Sequence, residues 1–210
     1  MSAPATPKYR PETRLVQAGI LRSQFGETSE ALFLTQGYVY DNSAQAEARF
    51  KGEDPGYQYS RFANPTVSMF ERRMAEFEGA EAARATATGM AAVTLALMGQ
   101  VRAGDHVVAS KALFGSCLYV VEDYLPRYGV TSTIVDGTDL DQWRAAMRPN
   151  TKTVFMETPT NPTLEVIDIE AVCKIAHAAG ATVVVATPKR GSHSSITHRH
   201  DPNRALAATT

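Results

Sequence analysis

The sequence predicts an α/β domain, a mostly parallel sheet with helices on both faces. Three observations predict it. Short β-rich runs alternate with helical patterns of about ten residues from residue 82 to 185. The last run, Thr182-Val-Val-Val185, is a continuous β-branched stretch, as a strand buried on both faces requires. Glycine, proline or capping residues stand at the joints between runs, so strands and helices are separate elements.

Taken in order, residues 1–12 are polar and proline-containing and read as a loose arm. Residues 13–19 read as a short helix, with Thr13 as cap and Gly19 as stop. From 23 to 56 there is little periodicity, and Asp41-Asn42, Gly52 and Asp54-Pro-Gly56 are turn signals. So long an irregular stretch is usually functional or docked on a partner, so residues 1–60 read as an arm contacting a neighbouring subunit. Thr66 caps a helix whose apolar face is Val67, Phe70, Met74 and Phe77, with Glu71, Arg72, Arg73 and Glu76 opposite, and Gly79 ends it.

Residues 82–87 read as a small-residue strand, and 89–98 as an Ala-rich helix, apolar nearly all round and therefore buried. Strands follow at 105–110, 131–135, 153–157 and 181–185. Helices lie between them at 115–125, 140–147 behind Asp139, and 169–179 behind Asp168, with Gly180 as stop. Residues 61–185 thus form the α/β domain, though part of one. Residues 186–210 hold three of the five histidines and no apolar periodicity, and read as a disordered tail.

Composition narrows the function. Of 210 residues 44% are hydrophobic, enough for a real core, and the net charge of -1 gives no field for nucleic acid or a membrane surface. Cys117 and Cys173 sit in apolar helical patterns and read as buried thiols in a reducing compartment. No leader-type or membrane-spanning stretch is present, which points to the cytoplasm. The tail histidines His193, His198 and His200 lack a scaffold, so no metal site is expected.

The chemistry-bearing groups gather after strand ends, where open parallel sheets bind ligands. Thr88-Gly89-Met90 opens a helix, where backbone N–H groups attract phosphate; equally, Gly89 could only end a strand. Arg61 can grip a phosphate bidentately and Tyr59 can donate a phenolic hydrogen bond, unless both are an exposed loop pair. Phe114 could stack on a flat ring or join the core. Asn161, between two prolines, could bond a ring oxygen or only its own turn, and Glu157 ends a strand at the same edge. There is no G-x-G-x-x-G and no G-x-x-x-x-G-K, which argues against dinucleotides and nucleoside triphosphates.

Tyr59-Ser-Arg61-x-x-Asn64-Pro-Thr, Gly89-Met90-Ala, Leu113-Phe114-Gly-Ser and Glu157-Thr-Pro-Thr-Asn161-Pro, at these intervals, resemble the Cys/Met-metabolism family of pyridoxal-phosphate enzymes. The arm with Gln24-Phe-Gly-Glu-Thr-Ser-Glu, and Phe114 where many relatives have tyrosine, are most similar to its O-succinylhomoserine sulfhydrylases. The resemblance covers about residues 10 to 185. It implies the fold type I (aspartate-aminotransferase-like) architecture, a homo-oligomer built as a dimer of dimers, and pyridoxal 5'-phosphate as cofactor.

The resemblance also implies roles. Gly89 and Met90 would hold the coenzyme phosphate, with Thr88 beside them and Tyr59 and Arg61 reaching in from the neighbouring subunit. Phe114 would stack on the pyridine ring, and Asn161 would lie near its phenolic oxygen. The family reaction would be γ-replacement, in which sulfide displaces succinate from O-succinylhomoserine to give homocysteine; synthase or lyase chemistry is the alternative.

The match then stops. Where the family has the aspartate that pairs with the pyridine nitrogen, position 186 is alanine, and nothing after Val185 matches the Ser-Ala-Thr-Lys segment whose lysine carries the coenzyme. Lys189 lies too near the strand end to replace that lysine. The expectation is a truncated or frame-shifted member with no catalytic residue present, or a non-catalytic remnant.

Overall fold

The computed structural model describes residues 9–187 and the strand 206–209, the latter as backbone. The chain falls into two units, one of residues up to 77 with 82–85, the other of 78–81 and residues from 86 onward.

In the first unit, helix α1 is Pro11–Gln17, α2 Ser43–Lys51 and α3 Pro65–Glu78. α1 begins on Pro11 rather than after a Thr13 cap, because proline suits a helix's first turn, where its missing N–H costs nothing. α2 lies in the stretch read as irregular. The supposed turn signals are its caps: Asn42 accepts the Gln45 N–H, and Gly52 closes the helix at φ 78°. α3 is capped by Asn64, not Thr66: Asn64 Oδ1 accepts the Thr66 N–H at 2.9 Å, while Thr66 Oγ1 accepts the Phe33 N–H.

The unit is tied by polar contacts. Arg14 pairs with Glu76 at 3.0 Å, and Arg73 reaches both Glu30 and the Ala18 carbonyl. The apolar stripe expected to be the core face of α3 is largely exposed; Pro65 and Met69 are the buried residues, and Phe70 is 52% exposed.

The second unit holds α4 Gly89–Met98, β1 His106–Ser110, α5 Gly115–Tyr119, β2 Thr131–Val135, α6 Leu140–Ala146, β3 Thr151–Glu157, α7 Ile169–Ala178, β4 Thr182–Thr187 and β5 Leu206–Thr209. α5 runs on through a π-helical turn and a 3-10 turn before Gly129 ends it at φ 75°. All strand pairs are parallel, in the order β2-β1-β3-β4-β5. Alternating side chains divide between two cores. Val107, Ala109, Phe155, Val184 and Ala186 meet α4 and α5 through Val93, Leu97, Cys117 and Val121. Val108, Val154, Met156, Val183 and Val185 meet α6 and α7 through Trp143, Val172, Cys173 and Ala176. The period-two alternation of a strand explains the division.

Three expectations are corrected here. Residues 82–87 form no strand; the Ala85 N–H is taken up by Glu71 Oε1 at 2.8 Å. α4 is not buried all round, since Leu95 is 62% exposed. The tail is not wholly without structure, because Leu206–Thr209 pairs with β4. The histidines of the tail and Lys189 lie outside the described residues.

Candidate functional site

β1 is followed in sequence by β2 on one side of it, yet β3 lies on its other side. The strand order therefore reverses between β1 and β3, and open α/β sheets bind ligands beyond the carboxyl ends of strands at such a switch. The segments leaving these two strands carry Phe114 and Asn161. α4 ends just before β1, so it runs back toward the edge where the strands begin. Its N-terminus points to the carboxyl edge, the two elements being comparable in length.

At that N-terminus Thr88 is the cap, its hydroxyl accepting the Ala91 N–H at 3.1 Å, while the first intrahelical bond is Ala92 N–H to Thr88 C=O. The Gly89 and Met90 N–H groups belong to the first turn, which has no acceptor within the helix. Phe114 is the residue before α5 and is 44% exposed, so it is not part of the core.

Glu157 joins the two segments. Its side chain projects on the α4/α5 face of the sheet, two residues beyond Phe155, and is only 5% exposed. Glu157 Oε2 accepts the Phe114 backbone N–H at 2.6 Å, and the Asn161 backbone N–H also faces this carboxylate. Burial pushes the Glu157 carboxyl up from the usual carboxylate range, while the two N–H groups oppose that. The Cys117 thiol nearby is pushed up to about 11, by burial first and by the Glu157 charge second.

Beyond Glu157 the chain bonds to itself. Thr158 N–H donates to the Ala186 carbonyl at 3.1 Å, and the Ile167 N–H donates to Thr158 Oγ1 at 3.0 Å. Thr160 exchanges bonds with Glu165. These bonds leave Asn161 exposed at the tip of a held loop. Glu157 and Ala186 are register partners in β3 and β4, so their side chains stand side by side on one face. Ala186 is 2% exposed. No carboxylate stands at that position; Glu157 is the neighbouring acid, and its carboxylate already accepts the Phe114 N–H with the Asn161 N–H facing it.

Tyr59 and Arg61 are in the other unit. Tyr59 bridges Gly37, and the Arg61 guanidinium stacks 5.3 Å from the Tyr59 ring centroid and 4.8 Å from that of Phe62. Both residues are exposed, and among the described residues no carboxylate pairs with Arg61. Its charge is therefore available to an anion.

Comparison with known proteins decides the family. Residues 12–188 match the model of the Cys/Met metabolism PLP-dependent enzymes. The chain belongs to this family. Its family is thus one of pyridoxal-phosphate-dependent enzymes with the type I fold. The chain is 52% identical over 189 residues to an O-succinylhomoserine sulfhydrylase of Mycobacterium tuberculosis, covering 88% of this chain and 47% of that protein. It is 47% identical over 174 residues to one of Pseudomonas aeruginosa, covering 83% and 43%. A Campylobacter jejuni protein solved with N'-pyridoxyl-lysine-5'-monophosphate superposes with a TM-score of 0.81 at 28% identity, over 86% of this chain and 45% of that one. The chain spans about half the length of the curated relatives it matches.

The sequence reading missed how Glu157 acts. It named the residue at the edge without a partner, because a carboxylate's bond to a backbone N–H 43 residues away leaves no mark in local pattern. The one available signal was an acid ending a strand before a proline-bounded turn, a place where burial would demand donors.

Proposed function

We propose that these residues form the phosphate- and ring-holding part of an O-succinylhomoserine sulfhydrylase, an enzyme that replaces succinate by sulfide to give homocysteine. The observation that carries this is the meeting of Phe114 and Asn161 on the Glu157 carboxylate, at the reversal of strand order. The identity to two sulfhydrylases supports the substrate pair.

The residues fit pyridoxal phosphate in part. The Gly89 and Met90 N–H groups would hold the phosphate, supplemented by Tyr59 and Arg61 from a second copy in a cytoplasmic homo-oligomer. Phe114, 44% exposed, would cover the ring and keep water from it, and Asn161 would lie near the ring oxygen. When bound, the coenzyme supplies the electron sink that lets the ester group leave. At the ring nitrogen the fit fails, because Ala186 brings no charge to hold a proton there. These 210 residues also hold no counterpart of the coenzyme-bearing lysine segment, so we derive no catalytic step from them.

The purified chain is therefore expected to bind pyridoxal phosphate reversibly, without the absorbance of a lysine-bound coenzyme, and to form no homocysteine from O-succinylhomoserine and sulfide. Equilibrium dialysis and a thiol-specific product assay check this. Turnover by the chain alone, or no binding at all, would overturn it.

A further inference from the structure

We propose that Glu157 is a positioning residue: its carboxylate ties the turn carrying Phe114 to the turn carrying Asn161, so that ring platform and amide are set as one piece. The inference rests on the reading of Phe114 and Asn161 as the ring site.

Four observations carry it. Glu157 is nearly fully buried, yet no cation accompanies it; no ion pair to it is present among the described residues. A buried carboxylate without a counter-ion is costly unless N–H groups satisfy it. The Phe114 N–H does so at 2.6 Å, a short bond, and the Asn161 N–H faces the same carboxylate. The two donors leave different strands, β1 and β3, so a single side chain spans the switch point.

The Phe114 carbonyl accepts the Cys117 and Leu118 N–H groups of α5, but these bonds tie Phe114 to its own helix and not to the other turn. Phe114 precedes a five-residue helix and caps it with no side-chain bond. The bonds that hold the 158–167 loop join Thr158 and Thr160 to Leu164, Glu165 and Ile167, closing the loop around Asn161 without a bond to Asn161 itself. The carboxylate is what connects the ring platform to the amide. An acid in this place differs from a neutral acceptor, because only a carboxylate offers both oxygens to N–H donors.

The test uses the whole 210-residue chain, labelled with 15N at phenylalanine and asparagine. The titratable group facing Glu157 from α5 is Cys117, which stays neutral below about 11. Between about pH 4 and about pH 9 the Phe114 and Asn161 amide resonances are then expected to titrate with one shared midpoint, above that of an ordinary glutamate. Glu157→Gln should abolish the shared titration. It should weaken pyridoxal phosphate binding about tenfold while leaving inorganic phosphate binding unchanged, since it alters the ring end and not the phosphate end. That contrast separates positioning from general damage to the fold.

Separate midpoints, or no titration, in the unsubstituted chain would overturn the tie without any variant. Equal loss of both ligands in Glu157→Gln, or loss of neither, would overturn the positioning role. A chain that shows the shared titration but binds phosphate and no pyridoxal phosphate overturns the ring reading on which the role depends, and the titration keeps the two failures apart.

Discussion

Replacing Ala186 by aspartate restores the carboxylate that the family resemblance implies, and the structure says what this costs. Ala186 is buried against α4 and α5, and Glu157 is its register partner on the next strand. Strands lie 4.7–4.9 Å apart, so the two carboxylates would sit about 5 Å from each other. At an effective dielectric constant of about 20 their repulsion is about 3 kcal/mol. Proton uptake caps the penalty: shifting an aspartate from its usual value to neutral pH costs about 4 kcal/mol at most. Ala186→Asp should thus lose about 3 kcal/mol of stability at pH 7.

The sign with pH follows from linkage. The folded pair holds a proton more tightly than the unfolded chain, so stability falls as pH rises. Near pH 5 the penalty should shrink to about 1.5 kcal/mol. Urea unfolding followed by circular dichroism at pH 5 and pH 8 reads both values. Added pyridoxal phosphate should recover more stability in the variant than in the parent, because a ring nitrogen there would share the charge. A midpoint unchanged by the substitution, or a loss independent of pH, would refute the reasoning.

Two further outcomes follow from buried groups. Trp143 is fully buried and its Nε1 donates to the Gly137 carbonyl at 3.0 Å, so Trp143→Ala should cost about 3–5 kcal/mol in urea unfolding read by circular dichroism. His106 is buried between Thr133 and Thr151, each 2.9 Å from a ring nitrogen, and burial first and the Arg148 charge second push its pKa down. The fold thus favours the neutral ring. Its contribution is fully present above the unfolded value near 6.5 and is lost as pH falls below that. The urea midpoint of His106→Leu, though lower at neutral pH, should fall less between pH 7 and pH 5 than that of the parent.

The sheet was legible because its signals are local. Thr182 to Val185 needed no tertiary knowledge to read as a buried strand, and Asp139 and Asp168 cap α6 and α7 as their side chains predict. The errors have local causes too. Asn42 and Gly52 fit a turn as well as a helix's two ends, and α2 between them has no buried residue to give it a periodic stripe. In α3 the stripe was present but the wrong residue was assigned inside. Met69 is buried and Phe70 is not, because the stripe records apolar surface and not what covers it.

The site was legible only as a set of parts. Spacing put Thr88, Phe114, Glu157 and Asn161 after strand or helix joints, and the parallel sheet carries the last three to one switch point. What the parts share is a buried charge, and burial is a property of the folded chain. The same acid reads as a strand end at the ligand edge in the sequence and as a tie in the structure, because only folding removes the water that would otherwise satisfy it. Ala186 makes the complementary point. Its place in the sequence is where the family resemblance implies a carboxylate. The register with Glu157 shows that a carboxylate added there must contend with one already present. A site built for two acids needs a cation between them, and without one the chain is more stable with the alanine.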